Sequence, residues 1–157
     1  MAADLALRLE RVLPAPPRLV FSMHVEPDLF AQWFGPKGFS ATSIDLDVRV
    51  GGSYRITMQP PDGDAFVLFG EFREIDPCSR LAYTFRYEPP DPDDRDTVVV
   101  LSFRGLGEAT SLTVEQGTFA TEARRALHVQ GWTDSLDRLE ELLESADWST
   151  PPDGTTA

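Results

Sequence analysis

The chain holds a single cysteine, Cys78, so no internal disulfide can staple it. That thiol lies in IDPCSRL, between two strand-like runs, where it reads as a small turn residue. A nucleophilic role would need a base and a lowered pKa, and neither His24 nor His128 is close in sequence. Two histidines without nearby Cys or Asp spacing spell out no metal site. Basic residues are also scarce: 14 Lys and Arg face 26 Asp and Glu, a formal net charge of -12. That balance excludes nucleic acid as an expected partner, since its binding rests on cations facing phosphate. It equally disfavours anionic membrane surfaces. No apolar run approaches the ~20 residues that cross a bilayer, and MAADLALRLERV carries charges where a signal peptide needs an apolar core. A cytoplasmic protein with no membrane insertion is the expectation. Nucleophile elbows, phosphate loops and dinucleotide fingerprints are missing too. The GLG of 105–107 reads as a hairpin turn, and Asp45 and Asp47 share a strand's solvent face rather than forming a catalytic dyad. No cofactor is implied.

What is present suits one domain over 1–146, with 147–157 as a disordered tail of DWSTPPDGTTA type. A chain of this length buries roughly 68–70% of its unfolded surface. The acidic excess is local: Asp91, Asp93, Asp94 and Asp96 share one loop, and Glu140, Glu141 and Glu144 one helix. These read as solvated faces.

LALRLERVL alternates, with Leu5, Leu7, Leu9 and Arg11 on one side, which predicts a strand. Pro14, Pro16 and Pro17 end it, and helices over 16–24 and 27–34 follow. From 39 to 118 the pattern is almost all strand. In ATSIDLDVRV, Ile44, Leu46, Val48 and Val50 share a face; in SYRITMQ, Tyr54, Ile56 and Met58 do. RLAYTFRYE aligns Leu81, Tyr83, Phe85 and Tyr87. Phe66 and Phe69 have opposite parity, so one must face outward unless a bulge intervenes. TVVVLSFRG and TSLTVEQGTF form a hairpin. Arg49, Arg55 and Arg73 are expected in exposed ion pairs. From Thr121, a capping residue, to about Ala146 the pattern turns helical, with Val129, Trp132, Leu136, Leu139 and Leu143 in one stripe. Asp134, Asp137, Arg138 and the three glutamates lie largely opposite.

These elements predict an α+β architecture: a curved antiparallel sheet of about seven strands wrapped around a long C-terminal helix, with two short helices after the first strand. Only the last helix, about 25 residues and about 37 Å long, can cover such a sheet. Where helix and curved sheet diverge, a ligand-sized gap is expected.

One stretch, DLFAQWFGPKGF, crowds Phe30, Trp33, Phe34 and Phe39 into a turn. Such rings either plug the core or line an opening into it. Trp132 has the same two readings, core packing or a cavity wall with its indole N–H free for a ligand. Gly131 costs roughly 1 kcal/mol in a helix interior, and close approach of a loop or a ligand is the expected reason, with Trp33-Phe34 the natural candidate for the loop. His128, one turn before Trp132, is either a satisfied boundary group or a polar contact inside the cavity; His24 is structural or exposed. Phe103 is expected in the core. Tyr54, Met58, Phe85 and Tyr87 form the sheet face most suited to meet a ligand, and Gln116, inward with Leu112 and Val114, needs partners and could orient one.

The segments FAQWFGPKGF, DLDVRVGGSYRI, GEFREIDPCSRLAYTF and QGWTDSLDRLEELL resemble the helix-grip superfamily called SRPBCC or START-like over roughly 8–145. Within it they are similar to relatives of the C-terminal domain of the heat-shock-protein-90 ATPase activator. The resemblance implies a deep, mostly apolar cavity between long helix and sheet. It places Trp33 to Pro36 near the second short helix and Gly131-Trp132 facing the cavity. The activator's separate N-terminal domain has no counterpart in this length, so a chaperone partner is not expected. The function implied is binding of a small hydrophobic or aromatic molecule. The ligand-contacting residues are then Trp33, Phe34, Phe39, Tyr54, Met58, Phe85, Tyr87, Phe103, Gln116, His128 and Trp132, with no catalytic residue assigned. Alternatives are a cyclase- or hydrolase-like enzyme using His128, Tyr54, Tyr87 and Gln116, or a chaperone-modulating interaction protein. The resemblance and exposed strand edges also allow a homodimer.

Overall fold

Alternating apolar residues set seven strands in the computed structural model, which describes residues 5–88, 91–93 and 95–145. They are β1 (Leu7–Leu13), β2 (Ser40–Leu46), β3 (Ser53–Gln59), β4 (Phe66–Asp76), β5 (Arg80–Glu88), β6 (Thr97–Leu106) and β7 (Ala109–Gly117). Helices α1 (Pro17–Val25) and α2 (Pro27–Phe30) follow β1, and α3 (Glu122–Ser145) follows β7. The sheet order is β1-β7-β6-β5-β4-β3-β2, antiparallel throughout. This is the α+β helix-grip architecture expected from the sequence. The tail at 147–157 lies outside the described residues.

The two periods explain how helix and sheet meet. Trp132, Leu136, Leu139 and Leu143 recur along one side of α3 and are all buried. Facing them are strand residues of one parity, among them Ile56, Leu101, Leu112 and Val114. Each such side chain contributes about 1.5–3 kcal/mol on burial. At the start of α3, the Arg124 backbone N–H donates to Thr121 Oγ1 at 3.0 Å, the anticipated cap. Further along, Arg11 of β1 reaches Glu140 at 2.9 Å and Asp137 at 3.0 Å, so part of the acidic face is tied to the sheet. Arg49, Arg55 and Arg73 do make exposed ion pairs, with Asp47, Glu88 and Glu71.

Three local expectations are corrected or refined. β2 stops at Leu46, leaving Val48 and Val50 exposed, because the chain turns there: Gly52 N–H donates to the Arg49 carbonyl at 2.8 Å. The second helix is α2 alone; after Phe30 the Gln32 and Trp33 N–H groups bond three residues back, a tighter winding than α. Phe66 and Phe69 part company without a bulge between them. Phe66 turns inward, while Phe69 lies outside under the Arg86 guanidinium, 5.7 Å from the ring centre.

Tyr54 pairs with Gly70 and sends its hydroxyl to the Thr84 carbonyl on β5. A Cβ at Gly70 would collide with that same carbonyl. Gly70→Ala should therefore destabilise the protein by more than ~2 kcal/mol, measured by urea unfolding, whereas Tyr54→Phe should remove only about 1 kcal/mol.

Candidate functional site

The turn after α2 has backbone groups with no strand or helix partner, and buried groups of that kind must be satisfied. Helix α3 supplies the partners. Arg138 Nη1 lies 3.0 to 3.3 Å from the carbonyls of Phe34, Gly35, Pro36 and Phe39. The Gly35 N–H donates to Ser135 Oγ at 2.9 Å, and the Lys37 N–H to Asp134 Oδ2 at 3.3 Å. Arg138 and Asp134 were expected on a solvent face; both hold the turn instead. Their charge identified them as polar, but periodicity alone could not show that a loop would fold onto them.

The pinned turn divides its rings. Trp33 is wholly buried, and its indole N–H donates to the Met23 carbonyl of α1 at 2.9 Å. Phe34 stacks on Phe30 at 4.4 Å and meets Trp132 edge-on at 6.1 Å. Between the turn, the inner face of β3 to β5 and α3 lies a cavity of about 400 Å³. The turn lines it with Phe34, Gly35, Pro36 and Phe39, and the sheet with Met58, Phe66, Leu68, Phe85 and Tyr87. Arg124, Leu127, His128, Gly131, Trp132 and Ser135 form the helix wall.

Of the residues picked from the sequence, Phe34, Phe39, Met58, Phe85, Tyr87, His128 and Trp132 come together here. Tyr54 lines a separate small hollow and its hydroxyl is engaged. Trp33 faces α1, and Phe103 packs against Phe21 and His24, each at 5.5 Å, so neither reaches the cavity. Gln116 sits behind the wall: its Oε1 accepts the Trp132 indole N–H at 2.8 Å, and its Nε2 donates to Thr97 Oγ1 at 2.9 Å. The Trp132 N–H is thus not free for a ligand, because a buried donor is seldom left unpaired. His128, Tyr54, Tyr87 and Gln116 do not converge; only His128 and Tyr87 share the cavity. Phe66, Leu127, Arg124 and Ser135 were missed. Phe66 was ambiguous in parity, and the others lie beside the helix stripe rather than on it.

At Gly131 a tight loop contact, one of the two expected reasons for the glycine, is not found among the described residues. A Cβ there would meet nothing closer than Pro36 Cγ at 3.9 Å, an ordinary contact. No tight packing demands glycine, and the space above it belongs to the cavity.

His128 is ringed by Phe119 at 4.8 Å, Phe85 at 5.5 Å and Tyr87 at 5.6 Å. Burial, helped by the Arg124 charge and opposed by Asp93, lowers its pKa to about 4. It is neutral at pH 7, with one donor and one acceptor nitrogen. Arg124 pairs with Asp91 and Asp93, each at 2.7 Å, and its hydrogen bond holds the Asp93 carboxyl below the ordinary range. His24, wholly enclosed, is also lowered to about 4 by burial. Among the described residues no three His, Cys, Asp or Glu side chains gather as a metal site.

Both lowered histidines give stability a pH dependence. The unfolded chain takes up protons near the ordinary histidine value of 6.5, the folded one only near 4. Stability is therefore complete above pH 6.5 and lost as pH falls toward 4, by up to ~3 kcal/mol per histidine. Urea unfolding should show this decline between pH 6.5 and 5, and the His24→Phe/His128→Phe double variant should flatten it. Arg138→Met should cost about 2–3 kcal/mol and, by releasing the turn, alter tryptophan fluorescence.

No helix among the described residues is long and apolar enough to cross a membrane. A search of curated proteins gives no significant match. Solved structures do match. Protein CV1439 from Chromobacterium violaceum is 28% identical, with a TM-score of 0.83 over 91% of this chain and 99% of its own. Protein NE0264 from Nitrosomonas europaea is 31% identical, with a TM-score of 0.77 over 92% and 97%. The AHSA1 protein SPO3351 from Silicibacter pomeroyi is 26% identical, with a TM-score of 0.77 over 88% and 97%. A family model, Activator of Hsp90 ATPase homolog 1-like protein, matches residues 14–144. With the grip of sheet on helix and most of its length matched, the chain belongs to the family of Activator of Hsp90 ATPase homolog 1-like proteins.

Proposed function

We propose that the protein binds a small hydrophobic or aromatic molecule between α3 and the sheet. The observation that carries this reading is the cavity itself, about 400 Å³, with the rings of Phe34, Phe39, Phe66, Phe85, Tyr87 and Trp132 in its wall. That volume falls within the range of small-molecule sites, roughly 300–1,000 Å³. A few polar groups, notably neutral His128, stand among the rings and can orient a ligand.

Gly131 supports the same reading. It weakens α3 by roughly 1 kcal/mol relative to alanine, yet no neighbour requires the missing side chain. Its effect is to keep the helix wall open. An interior meant only for stability would fill this space.

Titration of biphenyl, indole and decanoate, followed by tryptophan fluorescence, should give saturable binding for at least the ring-bearing compounds. Gly131→Leu should weaken binding at least tenfold without lowering the melting temperature, since leucine is the better helix former and fills space now open. Unchanged affinity in that variant would put the ligand elsewhere; no binding by any compound would end the reading.

A further inference from the structure

Beyond the main cavity lies a second, smaller hollow of about 20 Å³. It shares Phe34, Leu68 and Phe85 with the cavity, so these side chains form the partition between the two. Its lining also includes His24, Tyr54 and Tyr83. The volume suffices for one water-sized group, which needs roughly 10–15 Å³.

The chemistry of His24 is set by its own helix. Nδ1 lies 2.8 Å from the Val20 carbonyl. A carbonyl can only accept, so Nδ1 carries the proton and Nε2 is a bare lone pair. Because Nδ1 points back along α1, Nε2 points away from it. Edge-on contacts with Trp33 at 4.8 Å and Phe103 at 5.5 Å hold the ring in place. Nε2 is buried and has no hydrogen-bond partner among the described residues. The nearby Tyr54 hydroxyl cannot serve it, since that proton goes to Thr84. An orphaned acceptor of this kind is unfavourable until a donor reaches it.

We propose that the binding site continues past Phe34, Leu68 and Phe85 and ends on His24 Nε2, which selects ring-bearing ligands whose leading end carries a hydroxyl or N–H donor. This rests on the cavity reading above and adds to it a polarity and a direction of entry. The inner end rejects carboxylates, whose oxygens would face a lone pair on an imidazole that burial keeps neutral. It also rejects ethers, which have no proton to give. Entry past the partition requires a change of rotamer at Phe34 or Phe85, the side chains that line both spaces.

The test compares biphenyl with para-phenylphenol, which differ by one hydroxyl, on the wild type and on His24→Phe. Calorimetry should show the phenol binding the wild type about tenfold more tightly, the worth of one net hydrogen bond. His24→Phe should lose the preference, the ratio of the two affinities falling to about one. Imidazole nitrogen NMR of the wild type decides the matter even if the variant fails to fold: the His24 Nε2 resonance should move with para-phenylphenol and stay with biphenyl. Equal binding of the two compounds, or a preference that survives in His24→Phe, overturns the inner subsite and leaves the cavity reading standing. Failure of both compounds to bind the wild type overturns both.

Discussion

The Arg138 guanidinium, set against four backbone carbonyls of the turn at 34–39, is the interaction on which the rest of the site depends. Hydrogen bonds from a charged donor are roughly twice as strong as neutral ones, and here the two Nη1 protons are shared among carbonyls of the turn, of which Pro36 also accepts the Phe39 N–H. Ser135 adds the matching contact to the Gly35 N–H. A segment of glycine, proline and large rings, which would otherwise run loosely over the surface, is thereby fixed as a wall. The aromatic turn does both things its composition allows: Trp33 plugs the space under α1, and Phe34 and Phe39 line the opening.

That anchoring leaves the helix and sheet slightly apart. Tight packing would have favoured closure, but Gly131 removes the side chain that could fill the gap. Trp132, next to it, is held rigid through Gln116 and Thr97. The cavity therefore has His128, Arg124 and Ser135 as its buried polar groups from α3, with Arg124 engaged by Asp91 and Asp93 and Ser135 by the Gly35 N–H. Buried histidines in such surroundings stay neutral, since desolvation penalises the cation. They act as hydrogen-bonding groups rather than as charges.

Much of this was legible beforehand. Strict alternation in SYRITMQ and RLAYTFRYE gave Tyr54, Met58, Phe85 and Tyr87 their shared parity, and the structure puts them on one face. Arg11, placed with Leu7 and Leu9 by the same rule, reaches across to α3. The misses have a common cause. Arg138 and Asp134 lie beside the helix stripe, where periodicity says only that a residue is polar. Trp33 and Phe34 are adjacent in a turn, where no period applies and either ring could face inward.

Sequence by itself determined the element types, the faces they present and the need for one long helix to cover one sheet, because these follow from periods of two and 3.6 residues along the chain. It also determined that Gln116 must find partners, because a buried amide cannot go without them. Tertiary structure alone decided which partners those would be, which ring of the turn opens onto the hollow, and that Pro36 rather than Trp33 approaches Gly131. Those outcomes depend on where the turn crosses α3, a distance of about one hundred residues along the chain. Local propensity carries no information over that separation; only the balance of backbone satisfaction and packing across the gap does.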